Sequence, residues 1–224
     1  HEIAGRSLIA HVLHAVSSLN PRETRVVVGA SKDEVISHLK EISPKTATVH
    51  QEIRGGTGHA VKIALSDYSQ DGVVLVCAGD TPLLTGSTLS QLLTAHVSSG
   101  ATATVMTAEM PDPSGYGRVL KNSDGSLSRI VEEKDASPQE KQTLEINSGV
   151  YIFAIDVLKT ALAKVSTSNA QKEEYLTDVI GILRGEGKKV ATFLIDDYTE
   201  AWGINDRAQL STCASIFNPR ICDA

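Results

Sequence analysis

The sequence has 224 residues, 41% hydrophobic and 21% charged, enough for one large globular domain with a real core, with or without a subdomain. Its formal net charge of −6, with no cluster of Lys and Arg, argues against a nucleic-acid binder, and no apolar run reaches the ~20 residues that cross a bilayer. Cys77, Cys213 and Cys222 show no metal-pair spacing and read as reduced thiols of a cytoplasmic protein, while His1–Gly5 lacks the regions of a signal peptide.

Leu8, Ile9, Val12, Leu13 and Val16 fall at helical spacing, which predicts an amphipathic helix over 7–19 after a short loop. Arg25–Val28 reads as a strand, and Ser31 to Glu34 has capping-box spacing at the head of a helix running to about Glu41. Ala47–His50 is the next strand, followed by the loop Gln51–His59 and a helix from Ala60 to about Tyr68. Val73–Cys77 reads as a fully buried parallel strand on which the chain is organised. A helix over 87–97 and a strand over 101–107 follow, so strand and helix alternate and call for a Rossmann-like, mostly parallel α/β sheet flanked by helices.

Beyond residue 107 the rhythm changes. Gly117–Lys121 and Leu127–Glu132 read as a β-hairpin, a small subdomain, around Ser123-Asp124-Gly125. A helical connector spans 137–143, and Ile146–Phe153 is a strand interrupted by Asn147-Ser148-Gly149. Helices over 155–165 and 176–185, a strand over 190–195, a loop over 196–205 and a last helix from Asp206 complete the chain. The missing strand at the start is the one irregularity, since a doubly wound sheet usually opens on a strand.

Three features can carry chemistry. Asp80 stands just past a strand end, where open α/β sheets bind ligands and where a carboxylate suits Mg²⁺ shared with phosphates; it can equally cap a turn. Gly55-Gly56-Thr57-Gly58 joins a strand to a helix N-terminus, either as an anion-approachable loop or as plain turn chemistry; it is neither a P-loop nor G-x-G-x-x-G. Gly117, Glu132, Asn147 and Asn205 are glycines or polar residues at strand ends and in apolar runs, and such polar groups need partners, which a hydroxyl-rich ligand can supply. The histidines form no metal spacing and read as surface or helix-face residues, and no G-x-S-x-G elbow is present.

Taken together, Gly56-Thr57-Gly58-His59-Ala60, Ala78-Gly79-Asp80-Thr81-Pro82-Leu83-Leu84, Ser114-Gly115-Tyr116-Gly117-Arg118, Val131-Glu132-Glu133-Lys134-Asp135, Ile146-Asn147-Ser148-Gly149, Tyr175-Leu176-Thr177-Asp178 and Gly203-Ile204-Asn205 resemble the sugar-nucleotide pyrophosphorylases. They are most similar to the uridylyltransferase domain of the bacterial bifunctional enzymes that make UDP-N-acetylglucosamine, in order along nearly the whole chain.

That resemblance implies a nucleotide-diphospho-sugar transferase fold. It also implies transfer of uridylyl from UTP to N-acetylglucosamine 1-phosphate, giving UDP-N-acetylglucosamine and pyrophosphate for cell-wall precursors. It implies that Gln51, Gly56 and Thr57 contact uracil, and that Ala78, Gly79 and Asp80 contact the nucleotide. Asp80 and Asn205 would hold Mg²⁺, and Gly117, Glu132 and Asn147 would bind the N-acetylglucosamine part. Ala78 replaces a frequent Tyr or Ser, and Trp202 replaces a small residue or an acid. The family opens on a strand and a Gly-rich loop ahead of the segment that matches His1, and continues into a left-handed β-helix acetyltransferase domain through which the enzyme forms a homotrimer. Residues 1–224 are thus expected to be a single pyrophosphorylase domain without either part. The rivals are another sugar-1-phosphate uridylyl- or thymidylyltransferase, and a nucleotide-sugar sensor without the chemistry.

Overall fold

The computed structural model describes residues 1–222, and side chains through 217. The chain opens on a small antiparallel ribbon, β1 (Glu2–Ile3) with β2 (Arg6–Ser7), rather than a loop, before helix α1 (Leu8–Ser17). Ser7 caps α1, its Oγ accepting from Ala10 N at 3.3 Å. Strand β3 (Arg25–Val28), helix α2 (Lys32–Ile42) and strand β4 (Ala47–His50) follow as their sequences suggest. The capping box does not form: Ser31 lies in the left-handed region at φ 57°, which turns its side chain away from the first helical amides.

Helix α3 (Thr57–Ala64) starts three residues ahead of the expected Ala60, because Gly56 at φ 98° turns the chain directly into it. Then come β5 (Val73–Val76), α4 (Gly86–Ser99), β6 (Ala103–Glu109), β7 (Arg118–Lys121), β8 (Leu127–Val131) and β9 (Glu145–Ala154). Helices α5 (Ile155–Leu162) and α6 (Asp178–Gly185), strand β10 (Val190–Leu194) and helix α7 (Arg207–Cys222) close the chain.

The strand that organises the sheet is β9. In the six-stranded sheet it lies antiparallel to β6 on one side; on the other it pairs with β5 through its last four residues and with β7 through Ile146. β10 extends the sheet parallel to β6, and β7–β8 form the expected hairpin. Two apolar layers cover the sheet. One, with Val105, Phe153, Leu158, Leu162 and Ile180, is packed by α5 and α6; the other, with Leu89, Leu92, Met106 and Ile152, is packed by α1 and α4. Each such buried side chain removes apolar surface worth roughly 1.5–3 kcal/mol.

The expected buried parallel strand at 73–77 is corrected here. β5 is antiparallel to its one ladder partner among the described residues, β9, and Val73 is 49% exposed. The reason is a break in the sheet. β3 and β4 pair parallel with each other as a separate two-stranded unit, and the free edges of β3 and β5 line one cleft of about 1110 Å³. The side chains of a strand are buried by what flanks it, and β5 has a ladder on one edge only.

Candidate functional site

The cleft is where the expected residues meet. Thr57, Ala78, Gly79, Asp80, Glu132, Asn147 and Asn205 all line it. Gly117 sits just behind: a Cβ there would come within 3.3 Å of Glu132 Oε2 and 3.6 Å of Asn147 Cβ. Gln51 and Gly56 are not on the cleft wall. Gln51 Nε2 instead donates to Gly56 O at 3.1 Å and to His59 Nδ1 at 3.0 Å, fastening the loop that carries Thr57.

The glycines of that loop have a local reason. A Cβ on Gly56 would fall 2.6 Å, and one on Gly58 2.9 Å, from the carbonyl oxygen of Glu174. Glu174 O accepts from Gly58 N at 2.7 Å, and Glu174 N donates to Gly55 O at 2.7 Å. Thr57 Oγ1 accepts from Leu176 N at 3.0 Å, and Lys62 pairs with Glu174 at 3.2 Å. The loop is therefore glycine-rich so that residues 173–176 can lie against it, and the Gly58 amide is already used.

On one wall, Asp80 follows β5 in a turn. Its carbonyl accepts from Ile204 N at 3.0 Å, and a Cβ on Gly203 would stand 3.6 Å from its carboxylate. These contacts bring the 203–205 loop beside Asp80, and Asn205 lines the same cleft. Burial raises the Asp80 carboxyl above its ordinary range, and the only opposing influence is its own backbone N–H. A half-buried carboxylate on a cleft that Asn205 also lines fits a divalent cation that takes its remaining ligands from phosphate and water. Among the described residues no group of three or more His, Cys, Asp or Glu could hold a metal by itself.

On the other wall, the interruption of β9 is a bulge: Val105 pairs with Tyr151 and Thr107 with Asn147, so residues 148–150 face only Met106 across the ladder. Ser148 Oγ donates to Met106 O at 2.7 Å, and Gly149 takes φ 78°. The bulge aims Asn147 into the cleft, with its Nδ2 donating to Tyr151 Oη at 2.6 Å and its backbone N to Gly117 O at 2.9 Å. Glu132, just past β8, accepts from Thr177 Oγ1 at 2.8 Å; burial, then the charges of Asp178 and Asp135, raise its carboxyl. Thr177 and Tyr151 are site neighbours that sequence reasoning left unassigned, although Tyr175-Leu176-Thr177-Asp178 had stood out as a motif. His11 and His96, read with the other histidines as surface or helix-face residues, lie on α1 and α4 and are buried: His11 Nε2 bonds Ile3 O at 2.9 Å and His96 Nδ1 bonds Thr104 Oγ1 at 2.8 Å.

A mixed sheet between helices, with a carboxylate and amides converging on a cleft past the strand ends, is the arrangement in which open α/β proteins bind their ligands. A nucleotidyl transferase family model matches residues 2–203, and the chain belongs to that family. It is 47% identical over 224 residues to the bifunctional protein GlmU of Streptomyces coelicolor, covering 99% of this chain and 46% of the relative. It is also 47% identical over 223 residues to the bifunctional protein GlmU of Lactococcus lactis subsp. lactis, covering 99% and 48%. The chain thus spans about half the length of the curated relatives it matches. Among solved structures it is similar to a UDP-glucose pyrophosphorylase complexed with UDP-glucose, at 16% identity and TM-score 0.76 over 98% of this chain and 89% of that one. HddC from Yersinia pseudotuberculosis gives 16% identity and TM-score 0.68 over 97% and 88%. At such identities these structures bear on the fold alone.

Proposed function

We propose that this nucleotidyltransferase moves uridylyl from UTP to N-acetylglucosamine 1-phosphate. The observation that carries the reading is the meeting of two chemically different walls on one cleft: Asp80 with Asn205 on one, and Glu132, Asn147 and Gly117 on the other. The first suits polyphosphate with a cation, and the second offers a carboxylate and an amide for sugar hydroxyl and N-acetyl groups. A phosphate oxygen of the sugar phosphate attacks the α-phosphorus of UTP, the new P–O bond forms in line, and the bond to pyrophosphate breaks. No side chain acts as nucleophile. The protein orients the partners, which is worth several orders of magnitude in rate by itself. Mg²⁺, when held by Asp80 and Asn205, offsets the charge that builds on the transferring phosphoryl group. Thr57 sits where it can meet the base, while Gln51 and Gly56 contribute by holding its loop.

No helix among the described residues is long and apolar enough to cross a membrane, and Cys77 is a free thiol. We propose a cytoplasmic site of action. The test is pyrophosphate release by the full-length protein with four pairs of UTP or TTP and N-acetylglucosamine 1-phosphate or glucose 1-phosphate. Turnover is expected to be highest with UTP and N-acetylglucosamine 1-phosphate. Preference for glucose 1-phosphate or TTP would replace the substrate assignment, and binding without turnover on any pair would indicate a sensor.

A further inference from the structure

Tyr116 joins the two walls. Its backbone belongs to the sugar-facing side. Its carbonyl accepts a hydrogen bond from the Arg118 guanidinium, which is 2% exposed and is fixed in turn by Glu133 Oε2 at 2.7 Å. Glu133 is itself anchored by Lys141 at 3.2 Å. The next residue, Gly117, accepts from the Asn147 amide, so the position of Tyr116 is set by the same contacts that shape the sugar-facing wall. The side chain crosses to the other wall. The Tyr116 hydroxyl accepts from Gly203 N at 3.3 Å, in the loop where Ile204 N bonds Asp80 O and Asn205 follows.

We propose that Tyr116 is a positioning residue whose hydroxyl holds the 203–205 loop, and with it Asn205, against Asp80. The proposal rests on the nucleotidyl-transfer reading above. The 203–205 loop is anchored at Ile204, whose side chain is buried with Ile3 and Leu83 and whose N bonds Asp80 O, and the residues on either side of Ile204 have fewer contacts of their own. Asn205 is exposed, and its backbone N bonds Gln209 Oε1 on α7, while Gly203 has no side chain with which to pack. Tyr116 is half-buried and lines the cleft. The ring thus ties the Tyr116 backbone on one wall to Gly203 on the other, beside the anchor that Ile204 provides.

Tyr116→Phe in the full-length protein isolates this hydroxyl while keeping the ring and its packing. Losing one neutral hydrogen bond is expected to speed amide exchange in the peptide covering 199–205 by about fivefold, because such a bond is worth about that factor. The Mg²⁺ concentration giving half-maximal rate should rise by about the same factor, with KM for N-acetylglucosamine 1-phosphate within about twofold of wild type. A residue that merely supports the fold would lower melting temperature without moving the Mg²⁺ requirement. Wild-type exchange over 199–205, an unchanged Mg²⁺ requirement, or an equal rise in sugar-phosphate KM would each overturn the proposal. Absence of turnover in the wild-type protein would overturn the functional reading instead, and the exchange measurement would still decide whether Tyr116 holds the loop.

Discussion

The two sides of the cleft are built differently. The side we propose for the sugar rests on β9, which is laddered on both edges, and its polar side chains have partners: Asn147 with Tyr151, Glu132 with Thr177, Arg118 with Glu133. The side we propose for the nucleotide rests on β5, laddered on one edge among the described residues, and on the detached β3–β4 pair, with Asp80 held through its backbone by Ile204 N. One side is organised before any ligand arrives; the other leaves unmet charge and unpaired edges facing the cleft. A selective pocket benefits from the first arrangement, since prepositioned partners penalise a ligand that cannot match them. A polyphosphate and cation site tolerates the second, because the ligand itself supplies the missing charge partner.

The largest effect should come from Asp80→Asn. If the carboxylate serves the cation, kcat is expected to fall by about 10²–10³. The variant should be no less thermally stable than wild type, since a buried carboxylate whose pKa is raised is costly to ionise. Wild-type turnover at ordinary Mg²⁺ would remove Asp80 from the site. The contrast in ladders can be broken directly by hydrogen exchange. Amides of β3 and β5 should exchange at least ~100-fold faster than those of β6 and β9, matching a few kcal/mol less opening free energy. Uniform protection across all four strands would erase the distinction.

Much of this was legible from residue pattern. β3, β4, the β7–β8 hairpin and β10 announce themselves by apolar runs between turn residues, and α1 by its spacing. What escaped depends on partners distant in sequence. The five apolar residues from Val73 promise a fully buried strand, and both faces of β5 do pack on apolar layers, but one edge of β5 has no ladder partner among the described residues and opens on the cleft. Gly56 and Gly58 invite a ligand reading, but their lack of Cβ is required by Glu174, more than a hundred positions away. Gly149 and Ser148 looked like weak points in a strand and are the bulge that aims Asn147. Ser31 had the letters of a capping box without its backbone angle.

Smaller effects sharpen the sugar-facing half. Asn147→Ala should weaken UDP-N-acetylglucosamine binding about tenfold, the value of a well-placed hydrogen bond in a buried site, and leave UTP binding within about twofold. Equal loss for both ligands in a calorimetric titration would make Asn147 structural. Glu132→Gln probes the cost of that preorganisation. The Glu132 pKa is raised in the folded state, so the favourable protonated form is fully present below the unfolded pKa and is lost as pH rises through the folded value. Wild type should therefore be penalised at pH 7 and not at pH 4. Glu132→Gln should raise the melting temperature at pH 7 by a few degrees, with the gain vanishing by pH 4, while weakening sugar-nucleotide binding. A gain independent of pH would assign the effect to something other than the buried charge.

A crystal structure of the full-length protein with UDP-N-acetylglucosamine and Mn²⁺ as an anomalous substitute for Mg²⁺ tests the joining of the two walls in one experiment. The cation is expected within coordinating distance of the Asp80 carboxylate and the Asn205 amide oxygen, with the sugar against Glu132, Asn147 and Gly117 and the base beside Thr57. A cation on Asp135 or Asp178, or a sugar lying on the Asp80 wall, would contradict it.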